Sequence, residues 1–98
     1  MNFKILKPDI TRQEFLETLI QQFPNVKDEV LDEDYKDLIH LQVAVLARYA
    51  NDQIKSKRLD EAKRIFNFFE KVIDKVDSKT ENALYVSFLE HVEFVNLS

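Results

Sequence analysis

The sequence predicts an all-α fold: an antiparallel helical bundle of four main helices plus one short helix, with no sheet. Three observations carry this. None of the 98 residues is glycine, the residue that supplies positive φ in tight hairpins, bulges and phosphate-cradling loops. Thr11-Arg12-Gln13-Glu14 and Ser78-Lys79-Thr80-Glu81 both match the capping box that opens a helix. Three long stretches repeat their apolar residues at the helical period of about 3.6.

The elements follow in order, as a single helical domain over residues 1–98. Met1–Ile10 is apolar without a period and reads as an N-terminal arm. Helices are expected at about 12–23, 24–31, 35–54, 59–76 and 79–95. The first is capped by Thr11, stapled across its start by Ile10 and Phe15, and buries Phe15, Leu16, Leu19 and Ile20. Pro24 stops it and suits the first position of the short second helix, whose apolar face is Val26, Val30 and Leu31. Asp32-Glu33-Asp34 then supplies an N-cap and favourable charge for the third.

In the third helix Leu38, Ile39, Val43, Val45, Leu46, Tyr49, Ala50 and Ile54 cover most of the circumference. Only a strip of Asp37, His40, Ala44, Arg48, Asn51 and Lys55 is left polar or small, which places this helix in the middle of the bundle. Gln42 sits within the apolar sector, where a buried amide needs a partner, so it is expected either to reach a loop carbonyl or to mark where that sector opens to solvent or a partner. The fourth helix carries a stripe of Ala62, Ile65, Phe66, Phe69, Ile73 and Val76, with Phe68 and Val72 at its margin. The fifth buries Leu84, Tyr85, Phe88, Leu89, Val92 and Val95 and leaves Val86 and Phe94 on its far side.

Composition narrows the function. No cysteine is present, so disulfides, thiolate metal sites and a Cys nucleophile are excluded. No apolar run reaches the roughly 18 residues of a membrane span, and the N-terminus lacks a signal peptide's apolar stretch, so a cytoplasmic protein with no membrane partner is expected. The net charge is −4, and residues 25–37 alone contribute six carboxylates against Lys27 and Lys36. The basic cluster Lys55, Lys57 and Arg58 is small and sits in a turn, so no nucleic-acid partner is expected.

Metal binding is not expected of the acidic run, since Lys36 and the missing glycine spoil a calcium loop. His40 lies one turn after Asp37, a spacing that allows a carboxylate–imidazole pair. That pair is half of a base-and-orienter arrangement but lacks an evident nucleophile. No cofactor is implied.

Two resemblances bear on the chain. Ala50 in helix three, with Ala62 and Phe66 in helix four, is similar to a single tetratricopeptide helix pair. The segments Arg64-Ile65-Phe66-Asn67-Phe68-Phe69-Glu70 and Asn82-Ala83-Leu84-Tyr85-Val86-Ser87-Phe88-Leu89-Glu90 resemble a family of small uncharacterised all-helical bacterial proteins. Some members of that family resemble immunity proteins of toxin systems. The resemblance implies no enzymatic activity and no known site.

The expected function is therefore a non-enzymatic protein–protein interaction module, in an immunity-like form binding a basic partner. Two surfaces are candidates. One is an apolar patch of Phe68, Val72, Val86 and Phe94, the other the acidic junction of Asp28, Glu29, Asp32 and Glu33. The alternatives are a homodimeric structural module and a small metal-dependent hydrolase using Asp37 and His40.

Overall fold

The computed structural model describes residues 9–92. Its elements are α1 (Arg12–Gln22), a 3-10 turn (Pro24–Val26) running into α2 (Lys27–Val30), a second 3-10 turn (Glu33–Tyr35), α3 (Ile39–Lys55), α4 (Leu59–Val72) and α5 (Ser78–Ala83). The last continues directly as a π-helix over Leu84–Leu89. No strand occurs among the described residues, and the all-α bundle is as expected. The proposed N-terminal arm lies outside the described residues except for Asp9 and Ile10. The Ile10 N–H donates to the Lys75 carbonyl at 3.1 Å.

At the start of α1 the capping box forms as the sequence indicates. The Thr11 hydroxyl accepts from the Glu14 N–H at 3.0 Å, and the Glu14 carboxylate accepts from the Thr11 N–H at 2.8 Å. The second box does not form. Asp77 is the cap of α5, its carboxylate accepting from the Thr80 N–H at 2.9 Å, and Ser78 is already helical. Asp77 also pairs with Arg12 at 3.3 Å. That ion pair is made by a residue 65 positions away, so it holds the cap one residue ahead of where the local pattern points.

Helix α3 begins at Ile39 rather than at about residue 35. Asp32 does cap, but it caps only the single 3-10 turn, accepting from the Asp34 N–H at 2.8 Å. Lys36 is then extended and Asp37 takes φ 62°, which breaks the chain direction before α3. Lys57, at φ 60°, is the other left-handed residue among those described. It ends α3 with a Schellman turn, in which Lys57 N–H donates to the Ile54 carbonyl and Arg58 N–H to the Gln53 carbonyl. A chain without glycine thus still makes two left-handed turns, with an aspartate and a lysine.

Buried residues surround α3: Ile39, Gln42, Val43, Val45, Leu46, Ala47, Ala50, Gln53 and Ile54. Two aromatic clusters fill the space beside it, and α4 feeds both. Phe68 packs on Phe15 of α1 (5.9 Å between centroids) and edge-on to Phe23 (5.6 Å). Phe66 and Phe69 instead reach Phe88 of the π-helix at 5.9 Å and 5.4 Å.

The stripe of α4 is therefore centred differently from the sequence expectation. Phe68 is 2% exposed and Val72 6%, both core, whereas Phe66 and Phe69 are only partly buried. The physical reason is that α4 lies between two neighbours. Its most apolar line does not bisect the buried arc, and the flank toward α1 is the more completely covered. Helix α4 also ends at Val72 rather than about residue 76, although Val76 remains buried.

The last helix is rotated as well. Ala83, Leu84, Ser87, Phe88 and Val92 are buried, while Tyr85 and Val86 are exposed. Phe94 and Val95 lie outside the described residues. Two contacts tie this segment to α3: His40 Nδ1 with Ser87 Oγ at 2.8 Å, and Asn51 Nδ2 donating to the His91 carbonyl at 2.9 Å. Their order along both helices makes the last segment run in the same sense as α3. The polar strip of α3 is thus partly an inter-helix seam.

Two predictions follow from this packing. Phe68→Ala should destabilise by about 3–5 kcal/mol, more than Phe69→Ala, while Val86→Asp leaves the domain folded; urea midpoints of the three variants rank them. Thr11→Ala and Asp77→Ala should each cost about 0.5–2 kcal/mol, with Ser78→Ala within about 0.5. A Ser78→Ala loss equal to that of Asp77→Ala would put the cap back at Ser78.

Candidate functional site

The region between α1 and α3 gathers the polar chemistry of the surface. Its backbone is a string of short turns, because Pro24, the Asp32 cap and left-handed Asp37 each interrupt a helix. Short turns expose what they carry. Asp28, Glu29, Asp32 and Glu33 are all exposed, as the sequence indicates. Leu31 (52% exposed) and Leu38 (48%) flank the acidic turn.

Between this junction and α1 lies a cleft of about 390 Å³. Leu16, Val30 and Leu31 give its apolar wall, and Asp32, Glu33 and Asp37 its acidic rim. Arg12, Gln13, Lys36 and Gln42 complete it. Gln42 is 4% exposed, and its Nε2 donates to the Val30 carbonyl at 3.2 Å, the loop carbonyl that a buried amide requires. Its Oε1 is buried without a hydrogen-bond partner, and so is the Nε of Arg12. None of Asp28, Asp32, Glu33 and Asp37 takes part in an ion pair among the described residues. Glu29 does, with Arg48.

A second, more polar cleft of about 480 Å³ lies on the other side of α2, lined by Asn25, Glu29, Arg48, Tyr49, Asp52 and Lys55 among others. At its edge a chain of hydrogen bonds joins four elements, α1, the first 3-10 turn, α3 and α4. Asn25 Nδ2 donates to Tyr49 Oη (3.4 Å), the Tyr49 hydroxyl donates to Glu61 (2.7 Å), and Arg64 donates to Glu61 and to the Gln22 carbonyl (2.8 Å). The Arg64 guanidinium also stands 4.9 Å from the Phe23 ring centroid, a cation–π distance. Arg64 thereby closes the C-terminus of α1. This cluster has the form of a structural clasp.

The electrostatics agree. Burial, together with the Glu61 carboxylate, pushes the Tyr49 hydroxyl above its usual range. The hydrogen bond from Tyr49, helped by Arg64 and outweighing burial, holds Glu61 below the usual carboxylate range. For Asp77, burial pulls upward, but hydrogen bonding from Thr80 and the charge of Arg12 outweigh it, and the carboxyl is lowered.

The apolar patch expected from the sequence does not assemble. Phe68 and Val72 are core, Val86 is exposed, and Phe94 lies outside the described residues. Asp37 lines the junction cleft, while His40 turns to Ser87. Ser87 is 8% exposed within the π-helix, and neither of the two clefts includes it or His40. No group of three or more His, Cys, Asp or Glu able to hold a metal occurs among the described residues. No helix among them is long and apolar enough to cross a membrane.

Sequence reasoning missed Leu31, Leu38 and Arg12 as parts of a surface site. The sequence places Leu31 on the apolar face of the short helix and Leu38 on that of the third, yet both are exposed, because the chain there runs through short turns before α3 starts. Arg12 and Gln42 join the cleft only through tertiary packing.

A family model described as a domain of unknown function (DUF7674) matches residues 16–98. No curated protein and no solved structure matches the chain.

Glu61 and Asp77 predict an acid limb of stability. Both are lowered in the folded state, so their contribution is fully present above about pH 5 and is lost as pH falls through the folded values. Thermal melts between neutral pH and pH 2 should show this loss, and Tyr49→Phe should make it shallower by removing the main cause at Glu61. An identical acid profile for Tyr49→Phe would show that the Tyr49–Glu61 bond does not support the fold.

Proposed function

The chain belongs to the DUF7674 family, and from its surface we propose that it is a non-enzymatic protein–protein interaction module acting in the cytoplasm, with the acidic junction as its binding face. The observation that carries this is the set of exposed carboxylates of Asp28, Asp32 and Glu33, which make no ion pair among the described residues, with exposed Leu31 and Leu38 beside them. Like charges crowded in one turn repel one another, and a basic partner relieves that repulsion. Such complementarity raises the rate of encounter and rejects acidic competitors. The leucines supply apolar contact area once the partner is seated.

The immunity-like form of this reading, in which the partner is a basic toxin, rests on the resemblance of residues 64–70 and 82–90. Several residues of those segments are buried: Ile65, Phe68, Ala83, Leu84, Ser87 and Phe88. The shared pattern therefore reports largely on helix packing, and the partner is to be sought through the junction. Likewise Ala50 and Ala62, the residues of the tetratricopeptide-like pair, are both core small residues of adjacent helices.

Affinity capture from the source cell tests the proposal, using the tagged chain beside an Asp32→Lys/Glu33→Lys variant whose fold is checked by circular dichroism. The expected result is a basic protein retained by the parent, released by raised salt and lost by the variant. Equal retention of every captured protein by both chains would overturn the assignment of this face.

A further inference from the structure

We infer that the junction cleft takes an arginine residue of the partner, with its guanidinium on the acidic rim and its main-chain carbonyl on Arg12 Nε. This rests on the proposed function and gives its partner a chemistry. Two observations carry it.

The first is a complementary pair of orphaned atoms. Gln42 Oε1 is an acceptor and Arg12 Nε a donor; both are buried and unpartnered, and both residues line the same cleft. Buried polar groups in folded proteins are nearly always hydrogen-bonded. The orientation of the Gln42 amide is fixed by the bond from Nε2 to the Val30 carbonyl, so the unmet need is for a donor. Arg12 uses Nη2 on Asp77, which leaves Nε needing an acceptor. A peptide residue with a cationic side chain offers both, a carbonyl oxygen and N–H donors.

The second is the shape and charge of the lining. Leu16, Val30 and Leu31 suit an aliphatic stem, and Asp32, Glu33 and Asp37 suit a cationic head. Long basic side chains are built in that order, with methylenes first and charge last. The volume of about 390 Å³ lies at the small end of ligand sites. It admits one extended residue and excludes a helix face. Arginine fits better than lysine because its planar fork sends N–H groups in divergent directions. One reaches the inner Gln42 oxygen while others meet the rim, and guanidinium leaves water more readily than ammonium. Both orphaned atoms are closed to solvent in the free chain, so side chains lining the cleft must shift on binding. Side-chain rearrangement of that kind is common at interfaces.

The test is a nitrogen-edited NMR titration of the full chain with a blocked five-residue alanine peptide carrying a central arginine. Matched peptides carry citrulline or lysine instead. Expected are saturable shifts at the amides of Leu16, Val30, Leu31 and Gln42, at least tenfold weaker binding with citrulline, and several-fold weaker binding with lysine. Asp37→Asn and Arg12→Lys should each weaken the arginine peptide several-fold, with thermal melts confirming the fold. If the arginine peptide gives no saturable shift at these amides, or citrulline binds as tightly, the inference fails. If lysine binds equally, the guanidinium assignment fails. Should capture still depend on Asp32 and Glu33 in any of these cases, the proposed function stands without the arginine site.

Discussion

The fold depends on covering α3. That helix is buried on nearly every side, including two glutamines, Gln42 and Gln53. A helix apolar over so much of its circumference cannot face water anywhere but along a narrow strip. The other elements are placed by this need. Helix α1 and the turns after it cover one side, the α5 segment covers another, and α4 fills the wedge between α1 and the last helix. The three phenylalanines of α4 divide the work, Phe68 toward Phe15 and Phe23, and Phe66 and Phe69 toward Phe88. Edge-on, tilted and stacked ring pairs of this kind add directional preference to plain burial, which helps fix how the helices are rotated.

Local chemistry was legible wherever a few adjacent residues decide the outcome. The Thr11–Glu14 box, the stop at Pro24 and the central place of α3 all follow from short windows. So does the need of Gln42 for a carbonyl, met by Val30. What escaped were outcomes decided from a distance. Asp77 outcompetes Ser78 as a cap while it holds Arg12 across the fold. The late start of the predicted third helix came from Asp37 in the left-handed region, a conformation that propensity assigns to glycine or asparagine first. The rotation of α4 and of the π-helical segment came from which neighbour lay on which flank, and hydrophobic periodicity gives an average direction without naming a neighbour.

The candidate site shows the same division. Its carboxylates were visible as a run, and exposure followed from their charge and from the broken helices that carry them. The cleft beneath them was not visible. It needs Arg12 and Leu16 from α1, Val30 and Leu31 from the α2 end and Gln42 from α3, residues that no single window contains. The margin positions Phe68 and Val72 were misassigned for the converse reason. Each looked peripheral on its own helix, and each is central to the pair of helices it joins.

The Schellman turn at Lys57 and the break at Asp37 have a consequence for the unfolded chain. A left-handed non-glycine residue costs roughly 1–2 kcal/mol in the native state. A glycine there would relieve that strain but would widen the conformational freedom of the denatured ensemble by roughly 0.4–1 kcal/mol. Among the described residues the strain falls at two positions, and the chain has no glycine anywhere to loosen its unfolded state. Its denatured ensemble is therefore unusually restricted for its length, and part of the stability of the bundle resides in conformations that the unfolded polypeptide lacks.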